Sequence, residues 1–283
     1  MLPVASLSEL EKLLADDVPH GDLTTDVLGI GACRGEMTFS ARDEMVLAEA
    51  ESASALLQLA GCEVTLQASS GQRLAKGSSI LSAQGRAAAL HRGWKVAQTM
   101  IEGWSGVATA ARAIVDAASA VSPHIAIACT RKTLPGTKSF AVRAVRAGGA
   151  GMHRLGLSEN VLVFPEHRAF IQNEPLADIA ERMRRAAPEK KLVIEVPSVA
   201  EGEAAAAAGF DVIQAEKFTV AQVAELAEAL GRVPIRPRLA VAGGVTANNA
   251  ADYARAGADI LVTSAPYLAN PRDVKVRIAA VAG

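Results

Sequence analysis

"RLAVAGGVTANNAADYARAGADILVTS", residues 238–264, holds an apolar run, a Gly-Gly turn, a helix-like stretch ending on glycine, and a second apolar run. Two runs of strand length joined by a helical stretch are the pattern of a strand–helix–strand crossover between parallel strands. The alternation reaches back to residue 124. Further runs stand at 124–129 (HIAIAC), 151–164 (GMHRLGL to NVLVF), 191–196 (KLVIEV) and 210–215 (FDVIQA), separated by helical stretches at 139–148, 176–187, 199–209 and 220–231. Such units predict a parallel sheet, either a full or partial β/α barrel or an open doubly wound sheet. Neither GxGxxG nor GxxxxGK followed by Ser or Thr is present to favour the open, nucleotide-binding form.

Upstream the texture differs. "SLSELEKLLADD" (6–17) reads as an amphipathic helix with Ser6 or Ser8 as N-cap and Leu7, Leu10, Leu13 and Leu14 on one stripe. From about 34 to 88, short runs broken by Gly and Ser turns surround a helix-like "AEAESASALLQLAG", which predicts a small α+β domain. "ALHRGWKVAQTMIEGWSGVATAARAIVDAASA" (89–120) reads as helix interrupted near Gly103–Gly106, and the domain junction is expected there. The expected division is 1–106, then 107–270, with 271–283 able to pack back on the first domain.

The chain has 283 residues, 50% hydrophobic and 21% charged, enough to bury one large core or two smaller ones. Its 29 Lys and Arg residues balance 30 Asp and Glu and are scattered, which gives no electrostatic footprint for nucleic acid. Cys33, Cys62 and Cys129 form no CxxC and fit neither a disulfide framework nor a zinc site, so they read as small apolar side chains in a reducing compartment. No stretch has the ~20 uncharged apolar residues of a membrane span, so no membrane association and a cytoplasmic location are expected.

In a β/α barrel the active site forms at the C-terminal ends of the strands, so the residues where each run stops are the candidates. They are Thr130, Arg131 and Lys132; His153 and Arg154; Phe164, Glu166 and His167; Glu195; Gln214, Glu216 and Lys217; Ala242, Gly243 and Gly244; Thr263 and Ser264. Each alone reads as a loop charge, a core histidine or a strand-end ion pair. Several cations and two acids at one mouth point to an anion site with metal capacity. Gly243 and Gly244 would let the backbone approach a ligand, and Thr246 or Asn248 could cap the following helix, the usual way of holding phosphate late in a barrel.

"HGDLTTD", "ARDEMVLA", "WSGVAT", "TRKTLPG", "HRLGL" and "AGGVT" occur in an order that resembles the quinolinate phosphoribosyltransferase (nicotinate-nucleotide pyrophosphorylase) family. The resemblance implies the type II phosphoribosyltransferase fold: an N-terminal α/β sandwich beside an incomplete α/β barrel. It also implies a homodimer whose sites are completed by the partner's N-terminal domain. The implied activity is Mg²⁺-dependent transfer of ribose 5-phosphate from phosphoribosyl pyrophosphate (PRPP) to a ring nitrogen. By motif position, Lys95, Arg131, His153, Arg154 and Phe164 would bind the acceptor, and Lys132 the acceptor or PRPP. Glu195 and Glu216 would hold Mg²⁺ and the ribose hydroxyls, with Lys132 counted alongside them as catalytic. Ala242, Gly243, Gly244, Thr263 and Ser264 would hold the 5-phosphate.

Several positions depart from the family pattern. Trp94-Lys95 stands for Glu-Arg, "FPEH" (164–167) for "KDNH", Glu216-Lys217 for Asp-Asn, Ala242 for Ser, and Ser264 for Gly. Phe164 removes a cation and adds an aromatic face near the acceptor. "TRKTLPGTKSF" with "HRLGLSENVLVFPEH" resembles more the ModD branch, encoded beside molybdenum transport genes, which implies an acceptor other than quinolinate. The competing readings are an authentic quinolinate enzyme forming nicotinate mononucleotide, a non-catalytic anion-binding protein, and a barrel aldolase with Lys132 as Schiff-base nucleophile.

Overall fold

The computed structural model describes residues 4–281; the remaining ends of the expected domains, 1–3 and 282–283, lie outside the described residues. In chain order the first elements are α1 (Leu7–Asp17), α2 (Leu23–Val27), β1 (Arg34–Ala41), β2 (Met45–Val46), α3 (Ala50–Leu59), β3 (Glu63–Leu66), β4 (Arg73–Leu74), β5 (Ser79–Arg86) and α4 (Ala87–Ser119). There follow β6 (Ala126–Cys129), α5 (Lys138–Ala147), β7 (Gly151–Met152), β8 (Val161–Val163), α6 (Pro165–Arg168), α7 (Leu176–Ala186), β9 (Leu192–Val196) and α8 (Val199–Ala207). The chain ends with β10 (Val212–Glu216), α9 (Val220–Leu230), β11 (Arg238–Ala242), α10 (Ala250–Arg255), β12 (Ile260–Thr263), a 3₁₀ turn (Ala265–Leu268) and β13 (Val274–Ala280).

The chain divides into two compact units: 1–112 with 134–149 and 266–283, and 113–133 with 150–265. In this division the first unit runs on to 112 within α4 and also takes in α5. That unit is built on an antiparallel sheet in the order β13-β1-β5-β3. β1 alternates exposed and buried residues, so Met37, Phe39 and Ala41 face the core, and β13 completes the edge with Gly35 opposite Ala280. In α1 the Ser6 side chain accepts from the Glu9 N–H while the Glu9 carboxylate accepts from Ser6, a reciprocal cap worth ~1 kcal/mol.

The quoted motifs of this unit are largely absorbed by its fold. Asp22 of "HGDLTTD" caps α2 by accepting from the N–H groups of Thr24 and Thr25, and the buried Thr25 hydroxyl lies 2.7 Å from His91 Nδ1. Ser105 of "WSGVAT" accepts from the Ala48 N–H at 3.0 Å, and Thr109 from the Val46 N–H at 2.9 Å, tying α4 to the "ARDEMVLA" segment.

α4 runs unbroken for 33 residues, so the expected interruption at Gly103–Gly106 does not occur. Gly106 is there for close approach: a Cβ on it would stand 2.4 Å from the Asn270 carbonyl oxygen. Gly103 meets nothing within 4 Å and costs the helix only ~1 kcal/mol relative to alanine.

The second unit carries seven strands in the order β7-β6-β12-β11-β10-β9-β8, all pairs parallel. The order follows the chain cyclically and breaks only between β7 and β8 among the described residues, which is the order of an incomplete barrel and not of a doubly wound sheet. Leu192, Ile194, Ile213, Ala215, Leu239, Val241 and Leu261 form the fully buried layer of these strands. No helix of the described residues is long and apolar enough to cross a membrane.

Candidate active site

Parallel strands bring equivalent residues side by side, and alternate residues share a face. Gln214 of β10 pairs with Glu195 of β9 on one side and Ala240 of β11 on the other. One step toward the C-terminal ends on the same face, Glu216 pairs with Ala242, and Ala242 with Val262 of β12. Above these ends opens a cavity of about 570 Å³, lined by residues from β6 to the loop after β12.

One side of the cavity is made by strand termini and a glycine turn. Gly243 and Gly244 both adopt left-handed backbone, with φ +86 and +81. At Gly243 a side chain is excluded twice over: by that conformation and because a Cβ would stand 2.6 Å from Lys217 Cγ and 2.9 Å from Glu216 Oε1. Lys217 is itself left-handed, φ +57, held by its N–H donating to the Ala242 carbonyl at 2.8 Å. Thr263 anchors the neighbouring turn: its hydroxyl donates to the Val245 carbonyl at 2.7 Å and accepts from the Ala265 N–H at 3.1 Å. The helix after the glycines begins only at Ala250, with Asn249 in the cap position and no side-chain cap from Thr246 or Asn248. An anion at this end of the sheet would therefore meet the glycine turn itself and not a capped helix start.

The other side stands on loops beyond short strands. Arg131 and Lys132 are exposed, and the Lys132 N–H donates to the Thr130 hydroxyl at 3.2 Å. His153 follows the two-residue β7, its N–H donating to the Cys129 carbonyl at 2.9 Å, and Arg154 beside it is buried. Phe164 opens the short α6. Its N–H donates to His167 Nδ1 at 2.9 Å, its ring stacks on that imidazole at 5.8 Å, and the Arg154 guanidinium lies 5.5 Å from its centroid.

Four cations, Arg131, Lys132, Arg154 and Lys217, face three carboxylates, Glu166, Glu195 and Glu216. Burial pushes the Glu195 carboxyl up, with Glu216 and Glu166 adding to this, while the Gln214 amide and Lys132 oppose it. Burial, then the charge of Arg154, holds His153 below the usual histidine range and favours its neutral form. The Cys129 thiol is pushed up to about 12 by burial and is inert.

Among the described residues no group of three or more His, Cys, Asp or Glu side chains could hold a metal ion unaided. Glu195 and Glu216 nonetheless repel one another inside a partly desolvated cavity. Mg²⁺ typically uses one or two carboxylates, water and substrate phosphates, and this pair fits that mode.

The cavity thus gathers Arg131, Lys132, His153, Arg154, Phe164, Glu195, Glu216, Ala242, Gly243, Gly244, Thr263 and Ser264. Lys95 is not among its lining residues: it stands on α4 in the first unit, Nζ 4.2 Å from the Trp94 centroid. The lining adds Gln214, Glu166 and Lys217, which strand-end reading noted without giving them a role. The signal for Gln214 is an amide at an inward position of a strand that is otherwise apolar up to Glu216.

The chain matches the family model described as quinolinate phosphoribosyl transferase, N-terminal domain, over residues 22–105, and its C-terminal domain over 107–277. It is 49% identical over 248 residues to "Putative pyrophosphorylase ModD" of Rhodobacter capsulatus, covering 88% of this chain and 95% of that one. It is 31% identical over 246 residues to "Probable nicotinate-nucleotide pyrophosphorylase (carboxylating)" of Archaeoglobus fulgidus, covering 86% and 92%. The crystal structure of NadC from Streptococcus pyogenes shares the fold, with a TM-score of 0.88 at 24% identity over 97% of this chain and 96% of that one. With both domain models matched in sequence and a cavity of this composition at the strand ends, the chain belongs to the quinolinate phosphoribosyltransferase family and is a phosphoribosyltransferase.

Proposed function

We propose that this enzyme transfers ribose 5-phosphate from Mg²⁺-bound PRPP to a ring nitrogen of a planar, anionic heterocycle other than quinolinate. The observation that carries this reading is the joining of a left-handed glycine cradle, a carboxylate pair and an arginine–lysine cluster in one cavity. The turn at Gly243 and Gly244 holds the 5-phosphate through backbone N–H groups, with Thr263 and Ser264 beside it. Glu195 and Glu216 would receive the ribose hydroxyls and hold the magnesium ion. That ion, when bound, neutralises the leaving pyrophosphate. Arg131, Lys132 and Arg154 grip the acceptor anion, and guanidinium forks suit a planar carboxylate. The bond from the ring nitrogen to the ribose C1 forms as the C1–oxygen bond to pyrophosphate breaks.

Phe164 and Glu166 support the choice of acceptor. A phenyl face favours stacking, and a carboxylate at the same rim disfavours a second anionic group on the ring. Three cations on that side favour quinolinate as the second reading, in which nicotinate mononucleotide is formed with loss of CO₂. A homodimer in a reducing cytoplasm completes the proposal, with Lys95 serving the partner's cavity. Saturating PRPP with Mg²⁺ is expected to raise the thermal midpoint, since ligand at 100 Kd adds ~2.7 kcal/mol, and no shift would overturn the reading. An acceptor screen of mono- and dicarboxylate heterocycles, read by pyrophosphate release, separates the two acceptors.

A further inference from the structure

Gln214 is a fully inward amide on a barrel strand, only 3% exposed. Its Nε2 donates to Glu195 Oε2 at 2.7 Å, while its Oε1 is buried with no hydrogen-bond partner. Strand register explains this asymmetry. Across β9 the amide meets Glu195, but across β11 it meets Ala240, whose methyl group offers no donor. The neighbouring inward positions are apolar: Val212 and Ile260 pack on the cluster of Ala240, Ala242 and Val262.

A buried acceptor without a donor costs roughly 1–3 kcal/mol, and an apolar side chain of the same shape would avoid that cost. The amide therefore stands in the cavity lining at a cost in stability, and what it gains is a hold on a carboxylate of that cavity. We propose that Gln214 is a positioning residue: it fixes the Glu195 carboxylate in the orientation that receives the metal-bound ribose pyrophosphate. A glutamate side chain has three rotatable bonds, and the Gln214 amide holds the Glu195 carboxylate by this hydrogen bond. Released from it, the carboxylate rotates and must be reordered at each binding event. Fixing a ligand carboxylate from behind in this way tunes metal affinity.

The inference rests on the proposed role of Glu195, and its test separates the two. Binding of Mg²⁺-PRPP and of inorganic phosphate is measured by calorimetry for the wild type and Gln214→Met, together with the thermal midpoint. The methionine fills the amide's space and lacks its donor. Mg²⁺-PRPP affinity is expected to fall ~10-fold or more. Phosphate affinity at the glycine cradle should stay the same, and the midpoint should not fall. Unchanged Mg²⁺-PRPP affinity in the variant overturns the inference, as does equal loss of both ligands with a lowered midpoint, which marks a merely structural role. Should Gln214→Met not fold, Gln214→Leu is measured in the same way. Failure of the wild type itself to bind Mg²⁺-PRPP overturns the proposed function instead.

Discussion

The two sides of the cavity are built differently. Glu195, Gln214, Glu216 and Ala242 stand on strands whose register fixes their neighbours, and Gly243 and Gly244 continue one of those strands directly. Arg131, Lys132, His153, Arg154 and Phe164 stand on loops after β6 and the short strands β7 and β8. Side chains on paired strands are held by the sheet, whereas those on loops can be exchanged without disturbing it. Departures from the family pattern fall on both sides: "FPEH" on the loops, and Glu216-Lys217, Ala242 and Ser264 at the strand ends.

The strongest way to break this comparison is Gly243→Ala. The added methyl meets Lys217 and Glu216 in a left-handed backbone, so the PRPP-induced thermal shift should vanish and stability should fall on the order of 1–3 kcal/mol. Gly244→Ala meets nothing within 4 Å and should show only the conformational cost, ~1 kcal/mol, by denaturant titration. Next comes Glu216→Gln, expected to weaken Mg²⁺-PRPP by roughly 10–100-fold through loss of a charge-assisted contact. An unchanged calorimetric affinity would remove Glu216 from the site.

Phe164→Lys probes the loop side. PRPP affinity should be unchanged, while selectivity moves toward dicarboxylate acceptors on the order of 10-fold in kcat/KM. If PRPP binding falls instead, the two sides are not independent. The smallest effect concerns His153, whose pKa burial and Arg154 depress. Below the unfolded value the unfolded chain binds the proton more readily, so stability should decline as pH falls from about 6.5 toward the lower folded pKa. His153→Asn should flatten that part of a stability-versus-pH curve.

Much of the site was readable because a parallel strand announces where it stops: Arg131, Glu195, Glu216 and Gly243 each stand at or next to the end of an apolar run. Gln214 received no role, because an amide inside a strand carries no sign of what lies beside it. The unbroken α4 was misread for a related reason. Glycine in a helical pattern signals interruption just as well as close contact, and only the Asn270 carbonyl against Gly106 decides between them.

By itself the sequence determined the alternation of strands and helices, the ends of those strands and hence the chemistry gathered there, since periodicity and turn residues are local properties. The tertiary structure alone decided what depends on residues far apart in the chain. It placed α5 with the first unit, left β7 and β8 as open edges, and set the Gln214 amide against Glu195 with an alanine at its back. Register and packing are relations between segments, and no single segment encodes them.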